Sequence, residues 1–279
     1  KIVVGGGAGF IGSAVVRRAV ADGHEVVNLD ALTYSANLEN VAEAARSGRY
    51  AFEQADVCDG ARLAEIFAKH QPDAVMHLAA ESHNDRAIDG PLAFVQTNVV
   101  GTAVLLGAGG AHWDGLSGEK KAGFRFHHIS TDEVFGELGE TGAFTEETPY
   151  DPNSPYSSSK AAADHLVRAW RGTYGLPTVL ANTSNNYGPC QFPRELVPTV
   201  VLRALEGRPI PVYGQGRQVR DWLHVDDHAE ALLLVLQKGK LGETYAIGAE
   251  ACVRNIELVQ TLCAHLDDLA PANVPHADR

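Results

Sequence analysis

A short β-branched run, Ile2-Val3-Val4, leads directly into Gly5-Gly6-Gly7-Ala8-Gly9-Phe10-Ile11-Gly12. Residues 13–22 follow, with Val15, Val16, Ala19 and Val20 at helical spacing. Strand, glycine turn and helix in that order leave few folds open. Gly6 permits a tight turn, Gly9 lets the backbone approach a phosphate, and Gly12 allows the helix to pack on the strand. The helix start then offers unpaired N–H groups and the positive end of its dipole to an anion. Alone, the pattern also fits a flexible turn, so the rest of the chain has to decide.

Residues 25–29, 50–55, 74–79, 126–130 and 178–181 read as further strands, with helical stretches such as 60–70 and 91–106 between them. This alternation predicts the α/β class: a Rossmann-type doubly wound parallel sheet with right-handed crossovers. Residues 107–123 read as a surface excursion, and 137–155 as a loop beside the site. After Thr183 the alternation loosens and Pro, Gly and aromatic residues become frequent. We expect residues 1–182 to form the dinucleotide-binding domain, and 183–279 to form mainly a smaller C-terminal substrate-binding lobe.

Asp30 ends the second strand. A carboxylate there can accept both ribose hydroxyls of NAD and would repel the 2′-phosphate of NADP. Asp56 and Val57 after the third strand are placed to flank the adenine and pyrophosphate, as are Leu78, Ala79 and Ala80 after the fourth. NAD is the expected cofactor. Lys+Arg number 23 against 35 Asp+Glu, a net charge of −12, which argues against a nucleic-acid partner. The longest strongly apolar run found, 231–236, is far short of a bilayer span, so no membrane is expected. Cys58, Cys190, Cys252 and Cys263 show no CxxC spacing and read as reduced thiols of a cytoplasmic protein.

Two further segments carry chemistry. Tyr156 and Lys160 lie four apart, on one face of a predicted helix. An ammonium near a phenol favours the phenolate, which brings a tyrosine into range as a base. Thr131-Asp132-Glu133 falls at the carboxyl end of the fifth strand, the functional edge of an open α/β sheet. Adjacent carboxylates there suit an acid–base pair with separated pKa values; two solvated loop acids are the plain alternative. His127 and His128 point to opposite faces of a strand and read as structural, with no metal site expected. Trp113, Trp170 and Trp222 read as core or interface.

The sequence resembles the extended short-chain dehydrogenase/reductases, and within them the dTDP-glucose 4,6-dehydratase family. The matching stretches are GGAGFIG (6–12), LTYSANLEN (32–40), LAAESHNDRAI (78–88) and TNVVGT (97–102). HHISTDEVFG (127–136), SPYSSSKAAADHLVRAW (154–170), NTSNNYGP (182–189) and RDWLHVDDHAEAL (220–232) complete them. The related 4-epimerases and decarboxylases keep the glycine turn and YxxxK but lack the Asp-Glu pair. They remain the nearest alternatives, with a catalytically silent NAD-binding protein as a third.

The resemblance implies NAD-dependent conversion of a nucleotide-activated glucose, dTDP-glucose foremost, to the 4-keto-6-deoxy sugar nucleotide. It assigns Thr131, Asp132, Glu133, Tyr156 and Lys160 as catalytic. It places Gly6, Gly9, Phe10, Ile11, Gly12, Asp30, Leu32, Thr33, Asp56, Val57, Leu78, Ala79, Ala80, Thr97, Tyr156 and Lys160 around NAD. Ser82, Arg86, Thr131, Asn185, Glu195, Leu196, Arg220 and Asn255 would hold the substrate. A homodimer through a four-helix bundle is implied, with the helices at 91–106 and 157–170 as the pairing surfaces. The chain departs from the family at Gly5 (usually Thr), Asn84 (Val), Phe135 (Tyr), Glu195 (Lys) and Ala246 (Asn). It also ends before a further C-terminal stretch of the family pattern, so the C-terminal lobe is expected to be truncated.

Overall fold

The computed structural model describes residues 1–138 and 142–269. They divide into two compact units. The first comprises Lys1–Thr183 and Asp226–Ile247; the second comprises Ser184–Val225 and the chain from Gly248 on.

The first unit is built on seven strands: β1 (Ile2–Gly5), β2 (Val26–Asp30), β3 (Tyr50–Gln54), β4 (Ala74–His77), β5 (Arg125–Thr131), β6 (Thr178–Thr183) and β9 (Thr244–Ile247). Their order is β3-β2-β1-β4-β5-β6-β9, and every pairing is parallel. The order reverses between β1 and β4, which opens a crevice at the carboxyl ends of the strands. The Rossmann-type sheet expected from the sequence is thus the fold observed. β1 and β4 are buried along their full length, as strands covered on both faces must be.

The helices cover the sheet with their apolar stripes. In α1 (Phe10–Ala21) Val15, Val16 and Ala19 are fully buried. In α2 (Gly60–His70) Leu63, Ile66 and Phe67 do the same at i, i+3 and i+4, each worth about 1.5–3 kcal/mol of burial. Asp59 caps α2 by accepting from Arg62 N, and Gln71 ends it in the left-handed region at φ 49°.

Two readings of the sequence need correction. The helix α3 runs from Pro91 to Gly115, so residues 107–115 are helical and not an excursion; a short helix, Gly118–Gly123, follows. Low glycine propensity suggested a loop, but packing wins. A Cβ at Gly109 would lie 3.2 Å from the Phe126 ring, so the glycine lets α3 sit close on the sheet. The same helix overturns the estimate of apolar runs, because its best window has a mean hydropathy of 1.5 and its length would suffice to cross a membrane. Its Gly, Thr and Asn residues had masked that run. About 39% of that window is buried, and α3 packs on α2 and on the helix α4 (Pro155–Tyr174), as a core helix does.

The second unit holds a three-stranded sheet, β10-β8-β7, from Cys252–Arg254, Val219–His224 and Asn185–Tyr187. β7 and β8 are parallel, and β8 and β10 antiparallel. Helices α5 (Leu196–Leu205) and α7 (Asn255–Leu269) pack together beside it. Between these segments α6 (Val225–Lys238) and β9 return to the first unit, so residues 226–247 of the expected C-terminal lobe pack with the large sheet.

Candidate active site

The glycine turn has no room for side chains. Gly6 adopts φ +82°, and a Cβ there would sit 2.7 Å from Ala79 N. A Cβ at Gly12 would fall on the Gly6 carbonyl, so the third glycine lets α1 start against the turn. Gly9 is the N-cap of α1 and has no side chain to satisfy the first N–H groups, which leaves them for an anion. Gly5 differs: a Cβ there would find its nearest neighbour, His77 Nδ1, at an ordinary 3.6 Å.

Asp30 is buried at the end of β2. Its Oδ2 accepts from Ala8 N at 2.9 Å and its Oδ1 from Leu32 N at 2.8 Å. Each oxygen keeps a lone pair for a ribose hydroxyl. Leu32 is held at φ +55°, a costly conformation for a branched side chain, and its N–H on Asp30 is what the strain secures. Thr33 follows in the same turn, its carbonyl accepting from Ala36 N. Asp56 folds an Asx turn onto Cys58 N at 2.8 Å, and Val57 is buried beneath Gly101 of α3. Leu78 N donates to the Gly5 carbonyl, which sets Ala79 over Gly6. Phe10 and Ile11 open α1, and Ala80 continues the turn after Ala79. Glycine cradle, uncapped helix start and seated carboxylate together fit NAD.

Thr97 lies in a stretch of wider π turns, Val95–Gly101, within α3. Its neighbour Asn98 was not singled out from the sequence, yet it is fully buried and clamps the site. Asn98 Oδ1 accepts from Glu81 N at 2.8 Å, and Nδ2 donates to the Glu81 carbonyl at 2.9 Å and to Ser159 Oγ at 2.8 Å. The loop after β4 is thereby tied to α4. Ser82 is exposed in that loop. Arg86 lies over the Tyr34 ring at 4.0 Å, with Nε 3.7 Å from Glu81 Oε2.

The catalytic tyrosine and lysine expected from the sequence lie on α4. A capping box fixes its start: Ser154 Oγ accepts from Ser157 N and Ser157 Oγ accepts from Ser154 N, both at 3.0 Å, with Pro155 at N1. Tyr156 therefore falls in the first turn, where Phe94 of α3 meets its ring edge-on at 6.3 Å. One turn later Lys160 is buried, and Nζ donates to the Ile129 carbonyl of β5 at 2.8 Å. Burial pulls its pKa down to about 8, against the charge of Asp164, which holds it up.

Thr131 ends β5 and caps a short 3-10 turn, Asp132–Phe135, its Oγ1 accepting from Glu133 N at 3.2 Å. The turn so formed carries Asp132 and Glu133 on the carboxyl edge of the sheet, three and four residues past the carbonyl that Lys160 holds. It is secured from behind: Asp151 N donates to the Val134 carbonyl, and Phe135 packs on Phe144 and Tyr150 at 5.2 and 5.4 Å. On β5, His127 and His128 are buried and face opposite ways. Burial depresses both, His127 to about 3. Among the described residues no group of three or more His, Cys, Asp or Glu could hold a metal ion.

Within the second unit Asn185, Glu195, Leu196, Arg220 and Asn255 meet around one cavity of about 130 Å³, with Asn186, Gln191 and Trp222. All five had been picked from the sequence as substrate-binding residues. Trp222, read there as core or interface, is on the cavity wall. Gln191 Oε1, Trp222 Nε1 and Asn255 Oδ1 are buried with no hydrogen-bond partner in the protein. Such atoms cost about 1–3 kcal/mol each unless a ligand or water satisfies them. Gln191 and Trp222 were not foreseen as site residues, although each lies within a few residues of a quoted motif.

The family model described as GDP-mannose 4,6 dehydratase matches residues 3–276. The dTDP-glucose 4,6-dehydratase of Shigella flexneri is 58% identical over 97% of this chain and 78% of its own length. Among solved structures, DesIV, a dTDP-glucose 4,6-dehydratase from Streptomyces venezuelae solved with NAD and TYD bound, is 41% identical with a TM-score of 0.88. That match covers 95% of this chain and 81% of the other. The dTDP-glucose 4,6-dehydratase of Bacillus anthracis, solved with NAD, is 42% identical with a TM-score of 0.86 over the same shares. Likeness of this extent runs through the glycine turn, the Thr131 turn and the α4 pair alike, and on it the chain belongs to the dTDP-glucose 4,6-dehydratase family.

Proposed function

We infer that the chain is an NAD-dependent dTDP-glucose 4,6-dehydratase, a hydro-lyase that forms the 4-keto-6-deoxy sugar nucleotide. The observation that carries this reading is the Thr131 turn. It presents two carboxylates at the end of β5, and the Lys160 ammonium is anchored two residues before it on the same strand.

NAD, which the glycine turn and Asp30 would hold, would supply a hydride acceptor for C4 of the sugar and a hydride donor for C6. Tyr156, as phenolate, takes the proton of the C4 hydroxyl while Thr131 Oγ1 hydrogen-bonds at the same oxygen. The Lys160 ammonium stabilises the phenolate and binds the nicotinamide ribose. The C4 ketone acidifies the C5 proton, which Glu133 removes. Asp132 protonates the departing C6 hydroxyl, so water leaves. Glu133 then returns a proton to C5. Proton transfers by positioned groups of this kind are each worth about 10²–10⁴ in rate.

In the second unit, Arg220 is the group suited to a diphosphate. Asn185, Asn255 and the backbone of Glu195 and Leu196 complete the walls of that cavity. Ser82 and Arg86 line the sugar and pyrophosphate. A homodimer is supported by the exposed apolar side chains Ile88, in the short helix Asn84–Asp89, and Leu92, Val95 and Val100, in the first half of α3, with exposures of 74, 79, 46 and 39%. No disulfide joins the described cysteines, which suits a cytoplasmic enzyme.

The test is incubation with dTDP-glucose and, separately, UDP-, GDP- and CDP-glucose, followed by mass spectrometry. A product lighter by one water, formed fastest from dTDP-glucose, is expected. A product of unchanged mass would identify a 4-epimerase instead.

A further inference from the structure

Beneath the Thr131 turn lies a buried polar hub that the steps above leave unused. Its centre is Asp164, one turn beyond Lys160 on α4 and fully buried. Asp164 Oδ2 accepts from Ser130 Oγ at 2.9 Å, Tyr150 Oη at 2.9 Å and Asn182 Nδ2 at 3.2 Å. Asn182 Nδ2 also donates to the Thr131 carbonyl at 3.1 Å, and Thr183 Oγ1 to the Ser130 carbonyl at 3.1 Å. One carboxylate thus holds both residues from which the catalytic turn springs.

The charges around it single out the same group. Asp164 and Lys160 are faced by His77 from β4, His128 from β5 and Tyr150 from the segment before α4; Tyr156 shares their helix. His128 Nε2 lies 3.2 Å from Asp164 Oδ1, off the axis of a hydrogen bond, and its ring is 5.2 Å from that of His77. Thr102 Oγ1 gives its hydrogen to the Asn98 carbonyl and so accepts from His77 Nε2. His77 is therefore the neutral Nε2–H tautomer. Burial disfavours the cation of both histidines, as does the charge of Lys160. Arg168 donates to the Tyr150 hydroxyl from the outer side. Burial opposes ionisation of Asp164 too, but the polar and charged groups packed around it, Lys160 and Ser130 among them, hold its pKa below the ordinary value.

We propose that Asp164 is a positioning residue for the dehydration: its carboxylate fixes the Ser130–Thr131 end of β5 beneath the Asp132–Glu133 turn and balances the buried ammonium of Lys160. The proposal rests on the roles given above to that turn and to Lys160. A buried ammonium stripped of its counter-charge is strongly disfavoured, so the two effects fail together when the carboxylate goes.

The experiment compares the wild-type protein with Asp164→Asn, which keeps shape and removes charge. With dTDP-glucose, kcat is expected to fall about 10- to 100-fold with KM little changed, as misplacement of catalytic groups does. A second readout needs no substrate. Lys160 in the folded protein has its pKa depressed from 10.5 to about 8, so its burial destabilises the fold below that pH and ceases to do so above the unfolded value. Asp164→Asn depresses it further. The Tm gap between the two proteins should therefore widen as the pH falls from about 9 to about 6.5. Lost hydrogen bonds alone would leave that gap constant, and a constant gap overturns the charge-balancing role. Unchanged kcat overturns the positioning role. If Asp164→Asn does not fold, Ser130→Ala and Tyr150→Phe each remove one donor to the carboxylate and keep its charge; each should lower kcat with KM unchanged, and wild-type kcat in both overturns the proposal. A wild-type protein inactive on every nucleotide sugar would sink the functional reading, while the Tm gap still decides the role of Asp164.

Discussion

The two units meet their polar atoms differently. In the first, the groups that seat the glycine turn and the Thr131 turn are engaged by the protein, while Asp164 Oδ1 and both ring nitrogens of His128, buried beneath them, have no hydrogen-bond partner among the described residues. Asp30 holds two backbone amides, Asp164 three side chains, and Lys160 a strand carbonyl. In the second, the cavity wall keeps Gln191 Oε1, Trp222 Nε1 and Asn255 Oδ1 without protein partners. The first is preorganised and its geometry does not wait for a ligand. The second is completed by what binds, so it should tighten and stabilise on ligation.

The contrast can be broken most severely at the glycine turn. Gly12→Ala drives a methyl into the Gly6 carbonyl, and backbone cannot step aside. Loss of NAD from the purified protein, seen by absorbance, is expected with the loss of all activity. Tyr156→Phe comes next: NAD content should persist while kcat falls by about 10²–10⁴, as loss of a general base does. In the second unit Arg220→Ala should weaken dTDP binding about 10- to 100-fold in calorimetry and leave NAD content alone, the size expected for a charged hydrogen-bond donor. Glu195→Lys is smaller and opposite in sign. Exchanging an acid for a base on the wall of an anion cavity should tighten dTDP binding by less than about tenfold, and weaker binding would show that the carboxylate side chain itself serves the ligand. The least is Gly5→Thr. A Cβ there meets its neighbours at ordinary contact, and removing a strand glycine is worth about 0.5–1 kcal/mol, a rise of a few degrees in Tm by calorimetry.

What could be read in the sequence was local. The glycine turn, Asp30 and the Tyr156–Lys160 pair declare themselves because each function depends on residues adjacent along the chain or one helical turn apart. The strands came through with ends shifted by a residue or two, as at 25–29 against Val26–Asp30. β7, β9 and β10 escaped notice because strands of three or four residues carry too little alternation to register, and β8, six residues long, because Leu223 alone of it is buried. Asp164, Asn98 and Asn182 were missed for another reason. Their partners lie 14 to 61 residues away, and only the closed sheet brings them into range. A carboxylate one turn after a buried lysine was the signal that could have found Asp164. Gly109 misled because its small size serves contact with Phe126, which no propensity encodes; Gly107, Gly110 and Gly115 face open space.

The π turns of Val95–Gly101 have an outcome for chain length. Such a bulge takes up one surplus residue while leaving the flanking helix in phase. Excising a single residue there would let the segment rewind as ordinary α-helix, with Phe94 and Gly101 near their old places and Asn98 turned from its seat. A one-codon deletion there is expected to silence this protein yet leave it folded, because it displaces the Asn98 clamp while sparing the buried core.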